Sequence, residues 1–176
     1  MSLASLADLL RALVFLLLVV LLAWAPLPFG SNQLLAGDLL AGSGGGLLLL
    51  WSVAQLVSPD RVRVPWTVAL AGVLFLGVAG GAWLQSQPWA VGYYPWLEPH
   101  PIWRTAGELG LDPTPLVAAD GARALQALEW LLGYGCIFAA AVVLTQDKER
   151  ARRLLYILVA IIALYATYGL AMFGMG

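Results

Sequence analysis

Few side chains in this sequence are equipped for chemistry, and they stand far apart. The single cysteine, Cys136, lies in an apolar run, so neither an intramolecular disulfide nor a cysteine-ligated metal site can form. The single histidine, His100, stands between Pro99 and Pro101 in a polar connection. One imidazole excludes a bis-histidine haem and a His-rich metal cluster, and no apolar run offers an axial histidine to a chlorin pigment. His100 has the right intrinsic chemistry for a proton carrier near neutral pH. With no acid or base beside it, a solvated loop residue is the preferred reading.

Within the apolar runs the residue that stands out is Glu129. It precedes an uncharged stretch from Trp130 to Gln146, which sets it about a turn below the interface, and an ionisable group at that depth is a functional candidate by default. A plainer role is available. Arg123 or Arg104 can pair with it, so that Glu129 marks where an amphipathic helix start enters lipid. From this inventory no haem, metal or His-ligated pigment is expected.

The frame that carries these residues is strongly apolar. Of 176 residues, 61% are hydrophobic and 11% charged, against about 25% charged in a soluble domain. Lipid must therefore act as solvent. A net charge of −1 with nine Lys and Arg provides no basic face for nucleic acid. The uncharged runs predict an all-α, polytopic integral membrane protein with about five transmembrane helices, over residues 9–25, 37–57, 65–85, 122–145 and 154–173, in one membrane domain covering 1–176. Pro26 and Pro28 end the first run, Asp38 suits the N-terminus of the second, and Pro65 occupies a tolerated first-turn position in the third.

Residues 87–116 form the longest connection and are expected outside the cytoplasm. Trp89, Tyr93, Tyr94, Trp96 and Trp103 are interleaved there with prolines. Rings carrying one polar atom favour the headgroup layer, so the segment reads as an outer interfacial belt. A sharper reading makes the rings a stacking surface for a carbohydrate or prenyl-linked substrate. An aromatic-lined crevice between spans could likewise hold a lipid or an isoprenoid.

Seven of the nine basic residues fall on one side of the spans: Arg11, Arg61, Arg63, Lys148, Arg150, Arg152 and Arg153. Arg104 and Arg123 fall on the other. By the positive-inside rule the N-terminus is cytoplasmic and the C-terminus periplasmic, in a bacterial inner membrane. Ala23-Trp24-Ala25 has the form of a signal-peptide cleavage site, but one arginine precedes the apolar core and Pro26 would follow the cut, so a retained helix is expected. The connector at 147–153 is read as a topology anchor, with anionic lipid contact as the alternative. Gly42 and Gly46, and likewise Gly77 and Gly81, are four apart. Each pair smooths one helix face for close packing against another span or a partner subunit.

The order of short phrases along the chain is also informative. The first span ends in Pro26-Leu27-Pro28-Phe29-Gly30, and a Trp- and Pro-rich connection runs from Leu84-Gln85 through Trp103. Leu111-Asp112-Pro113-Thr114 leads into a helix carrying Leu132, Tyr134 and Phe138. The basic phrase Glu149-Arg150-Ala151-Arg152-Arg153 then precedes a span containing Ala163-Leu164-Tyr165-Ala166-Thr167-Tyr168-Gly169-Leu170. In this order the chain resembles the N-terminal half of the O-antigen ligase and polymerase type of polyprenyl-linked polysaccharide ligases.

That family's catalytic arginine and histidine belong to a C-terminal half with no counterpart in these residues, and His100 is not in an Arg-Asn-His phrase. No catalytic residue is carried over. The resemblance then implies one of two roles. In the first, the chain is a non-catalytic membrane subunit that packs against a larger complex, for which an energy-converting or light-harvesting assembly is one candidate. In the second, it is the N-terminal half of a split or truncated glycan ligase, whose partner supplies cations for the leaving diphosphate.

Overall fold

A computed structural model describes residues 3–26, 34–57 and 62–175. Among them there is no strand. The elements are α1 (Leu3–Trp24), α2 (Leu34–Val57), α3 (Trp66–Gln85), α4 (Pro88–Tyr93), α5 (Pro101–Glu108), α6 (Gly121–Leu144) and α7 (Lys148–Met175). Five of them, α1, α2, α3, α6 and α7, are long and apolar enough to cross a membrane. The chain is an all-α, polytopic membrane protein. Residues 27–33, with Pro28 and Gly30, and residues 58–61, with Arg61, lie outside the described residues.

Two elements differ in extent from the apolar runs. α7 begins at Lys148, six residues before the run at 154, so Arg150, Arg152 and Arg153 form its first turns and do not sit in a loop. Glu149 in that first turn favours helix there through the positive N-terminal end, and it takes hydrogen bonds from Arg152 at 2.7 Å and Arg153 at 3.2 Å. The connection at 87–116 is partly helical, each short helix opening on proline at its first position, Pro88 and Pro101.

The chain forms two compact units, Met1–Arg63 with Gly133–Gly176, and Val64–Leu132. The first contains α1, α2, α7 and the end of α6. Its buried positions recur at spacings of three, four or seven. They are Ala7, Arg11, Val14, Leu18 and Leu21 on α1, then Leu40, Gly44, Leu47 and Ala54 on α2. Gly133, Ala140 and Leu144 continue the pattern on α6. Such spacing forms a seam that brings one narrow stripe of each helix together and leaves the other faces to lipid. Val14 and Leu18 are wholly buried at its centre, against Leu40, Leu47, Ala140, Leu144 and Leu154.

Named contacts fix the directions within this unit. The Tyr165 hydroxyl of α7 donates to the carbonyl of Ala23 near the end of α1. Arg11 and Arg150, near the starts of the same two helices, line one cavity, so α1 and α7 run parallel. Gly133 lies on Ala41 and Gly44, while Val143 and Trp51 share the far end, so α2 and α6 also run parallel. The hydroxyls of Ser52 and Thr145, by contrast, donate back one turn along their own segment, to Leu48 O at 2.8 Å and Ala141 O at 2.7 Å. They need no partner across the helix interface.

The second unit is built around α3 and the connection at 87–116. Ser86 closes α3, its hydroxyl donating to Trp83 O at 2.7 Å and accepting from Gln87 Nε2 at 3.0 Å. The connection folds back onto this point. Ala118 N donates to Gln85 O at 3.1 Å, His100 N to Leu116 O at 2.9 Å, and the Trp103 indole to Ala118 O at 3.0 Å. α5 ends with Gly110 at φ +79, where the Leu111 N–H reaches the Ala106 carbonyl at 3.1 Å. That left-handed C′ position suits glycine because it lacks a Cβ.

Candidate functional site

The belt residues form a chain of touching rings. Trp89 lies 5.8 Å from Trp83, 6.4 Å from Tyr93 and 6.3 Å from Tyr94, and Tyr94 continues to Trp96 at 5.1 Å. Trp89 meets Trp83 and Tyr93 edge-on, the geometry aromatic quadrupoles favour, and the other two pairs are tilted. Tyr93 and Trp96 are more than 70% exposed. They offer open ring faces, whereas Trp103 is partly buried and anchors α5 through its indole N–H.

His100 takes a structural position. It is the N-cap of α5, where its Nδ1 accepts from the Ile102 N–H at 3.3 Å, and its own N–H ties the segment to Leu116. An N-cap acceptor satisfies one of the donors a helix start leaves open. Among the described residues no three His, Cys, Asp or Glu side chains gather as a metal site would require.

Glu129 lies on α6 with its side chain exposed. Of the two arginines that could pair with it, Arg123 engages Asp120 instead, through its backbone N–H at 3.1 Å and its Nε at 3.4 Å. Asp120 immediately precedes α6, so it holds both the helix start and the arginine.

The packing glycines are distributed differently from the four-residue pairs in the sequence. Gly42 and Gly46 of α2 face open space, and the contact is made by Gly44 between them. A Cβ on Gly44 would lie 2.5 Å from the Gly133 carbonyl oxygen, and one on Gly133 would fall on Ala41. Gly46 instead lines an apolar crevice of about 410 Å³ between α1 and α2, with Leu17, Trp24 and Leu47 among its walls. On α3, Gly77 and Gly81 also face open space. Gly44 and Gly133 were detectable in the sequence only through the three-four spacing of the seam, which the many surrounding leucines obscure.

A second long-range tie had no sequence signal. The Gln146 side chain accepts from Arg63 N at 3.0 Å and donates to Arg63 O at 3.0 Å. One amide thereby holds the stretch before α3 against the turn between α6 and α7.

Comparison with family models, with curated proteins and with solved structures returned no match.

Proposed function

We propose that this chain is a non-catalytic integral membrane subunit, related to the O-antigen ligase type, that packs against a larger membrane complex. The observation that carries this reading is α3. Its apolar stretch is only 6% buried, and Gly77 and Gly81 face open space on it. Lipid tails satisfy an apolar helix, but they gain little from a glycine-smoothed face, along which another helix backbone can approach closely. A bare, glycine-lined span therefore suits a seat for a neighbouring subunit. An energy-converting or light-harvesting assembly fits the apolarity of the chain, which would contribute packing and ligate no pigment through histidine.

The test is recovery of partners with the tagged chain from its native membranes. Gly77→Leu and Gly81→Leu should each lower recovery roughly tenfold, the effect of about 1.4 kcal/mol lost at the contact. Glu129→Gln should leave it unchanged. Full recovery with both leucine variants would remove α3 as the seat.

The same proposal sets the chain in a bacterial inner membrane, N-terminus cytoplasmic and C-terminus periplasmic. The distribution of basic residues supports it. In a Cys136→Ala background, a cysteine in place of Tyr93 should react with an impermeant maleimide in intact spheroplasts, and one in place of Arg152 only after lysis. The reverse pattern would refute the orientation.

A second reading, the N-terminal half of a split polyprenyl-linked glycan ligase, draws support from the open faces of Tyr93 and Trp96. Sugars stack on such faces. Under this reading a co-purifying polytopic protein supplies the arginine and histidine for transfer, and recovery of the chain without one would exclude it.

A further inference from the structure

At the end of the first unit where α1 begins and α2 and α6 finish lies a cavity of about 470 Å³. Three arginines from three separate segments line it: Arg11 of α1, Arg63 ahead of α3 and Arg150 in the first turn of α7. Among the described residues the carboxylate in the lining is Asp147, and Asp8 outside it pairs with Arg11, which leaves Arg63 and Arg150 facing a single carboxylate. Trp51 and Val143 give it an apolar side.

The arginines are brought there by the fold. Arg11 occupies a seam position of α1 and is only 6% exposed, with Asp8 accepting from its Nη1 at 3.3 Å. Arg63 is fixed by the two hydrogen bonds of Gln146. Arg152 and Arg153 engage Glu149 and do not line the cavity. Asp147 accepts from the Glu149 N–H at 3.2 Å, at the start of α7.

Like charges gathered beside low-dielectric helix walls repel, and a bound anion relieves that repulsion. Guanidinium forks match the oxygens of a phosphate better than a point charge does. Basic pockets between membrane helices, with apolar surface alongside, are suited to phosphorylated headgroups. We propose that this cavity binds a phosphate bearing uncompensated negative charge, of the kind an anionic phospholipid headgroup presents.

The full chain, stripped of lipid in detergent, would be titrated with phosphatidylglycerol, phosphatidylcholine and sodium phosphate. Thermal unfolding would be followed for all three, and native mass spectrometry would count lipid adducts. Phosphatidylglycerol should bind at least about tenfold more tightly than phosphatidylcholine, the value of one charge-assisted hydrogen bond. Stabilisation by sodium phosphate without a lipid preference would support the same site with a soluble source. Arg150→Gln should weaken the preferred ligand roughly tenfold, and Arg63→Gln with Arg150→Gln roughly a hundredfold, at one such bond each. Arg152→Gln, outside the cavity, should not change it. Equal binding of the two lipids with no phosphate effect would overturn the proposal, as would an Arg150→Gln variant that keeps the preference undiminished.

Discussion

Replacing Gly133 with alanine is expected to push α6 off α2 and to leave little monodisperse protein after extraction from the membrane. The added Cβ would fall on the backbone of Ala41, and the reciprocal change at Gly44 would meet the Gly133 carbonyl oxygen and Ile137 Cγ1 at 2.9 Å. Backbone atoms cannot rotate aside as a side-chain end can, so the two helices must separate. Overpacking of this sort costs about 1–3 kcal/mol, and a clash with backbone belongs at the upper end. Equilibrium unfolding in detergent would measure it. Gly42→Ala, at a site with nothing within 4 Å, should stay within about 0.5 kcal/mol of the unaltered chain. If Gly133→Ala were equally stable, the α2–α6 contact would be wrong.

The second large effect is expected at Leu18. Its side chain is wholly buried where α1 meets Leu40, Leu47, Ala140 and Leu144. Truncation to alanine removes dispersion contacts that lipid does not restore inside the bundle, and comparable core truncations cost about 2–5 kcal/mol. Leu16 lies on the same helix at 58% exposure. Leu16→Ala exchanges one lipid-facing group for another, and its effect should remain within about 0.5 kcal/mol. The same unfolding assay separates the two. Equal losses at both positions would mean that the seam does not organise this unit.

The contrast between Leu16 and Leu18 explains what could be read from the sequence. Apolar runs show that a segment crosses lipid, because every backbone group in a spanning helix is satisfied internally and the side chains need only be apolar. That requirement identifies the five spans. It does not distinguish a leucine facing lipid from one facing another helix, since both solvents are equally apolar. The stripe through Val14 and Leu18 is therefore hidden among Leu16, Leu17 and Val20, and Gly44 is hidden between Gly42, Gly45 and Gly46. Spacing of four, the cue for packing glycines, selected the residues on either side of the one that makes the contact.

Polar residues were legible to different degrees. The charge asymmetry brought Arg11, Arg63 and Arg150 to one side in the sequence, and the structure gathers these three around a single cavity. Arg63 is held there by Gln146 across 83 residues, and no local pattern encodes such a tie. Arg123, one of two arginines that could pair with Glu129, engages the nearer Asp120, which serves as a helix-start residue as well as an ion-pair partner. The rings of the connection at 87–116 were evident from composition, whereas its folding back onto Gln85 rests on backbone hydrogen bonds that composition does not specify.

If this chain works as a subunit of a larger membrane assembly, as proposed, the mass of the native particle reveals it. The protein would be extracted from its own membranes in a mild detergent, and the particle weighed intact and then dissociated. The expected result is a complex in which this 18.8 kDa chain is present at fixed stoichiometry with polytopic partners. A particle containing this chain alone, with lipid and detergent, would contradict the claim.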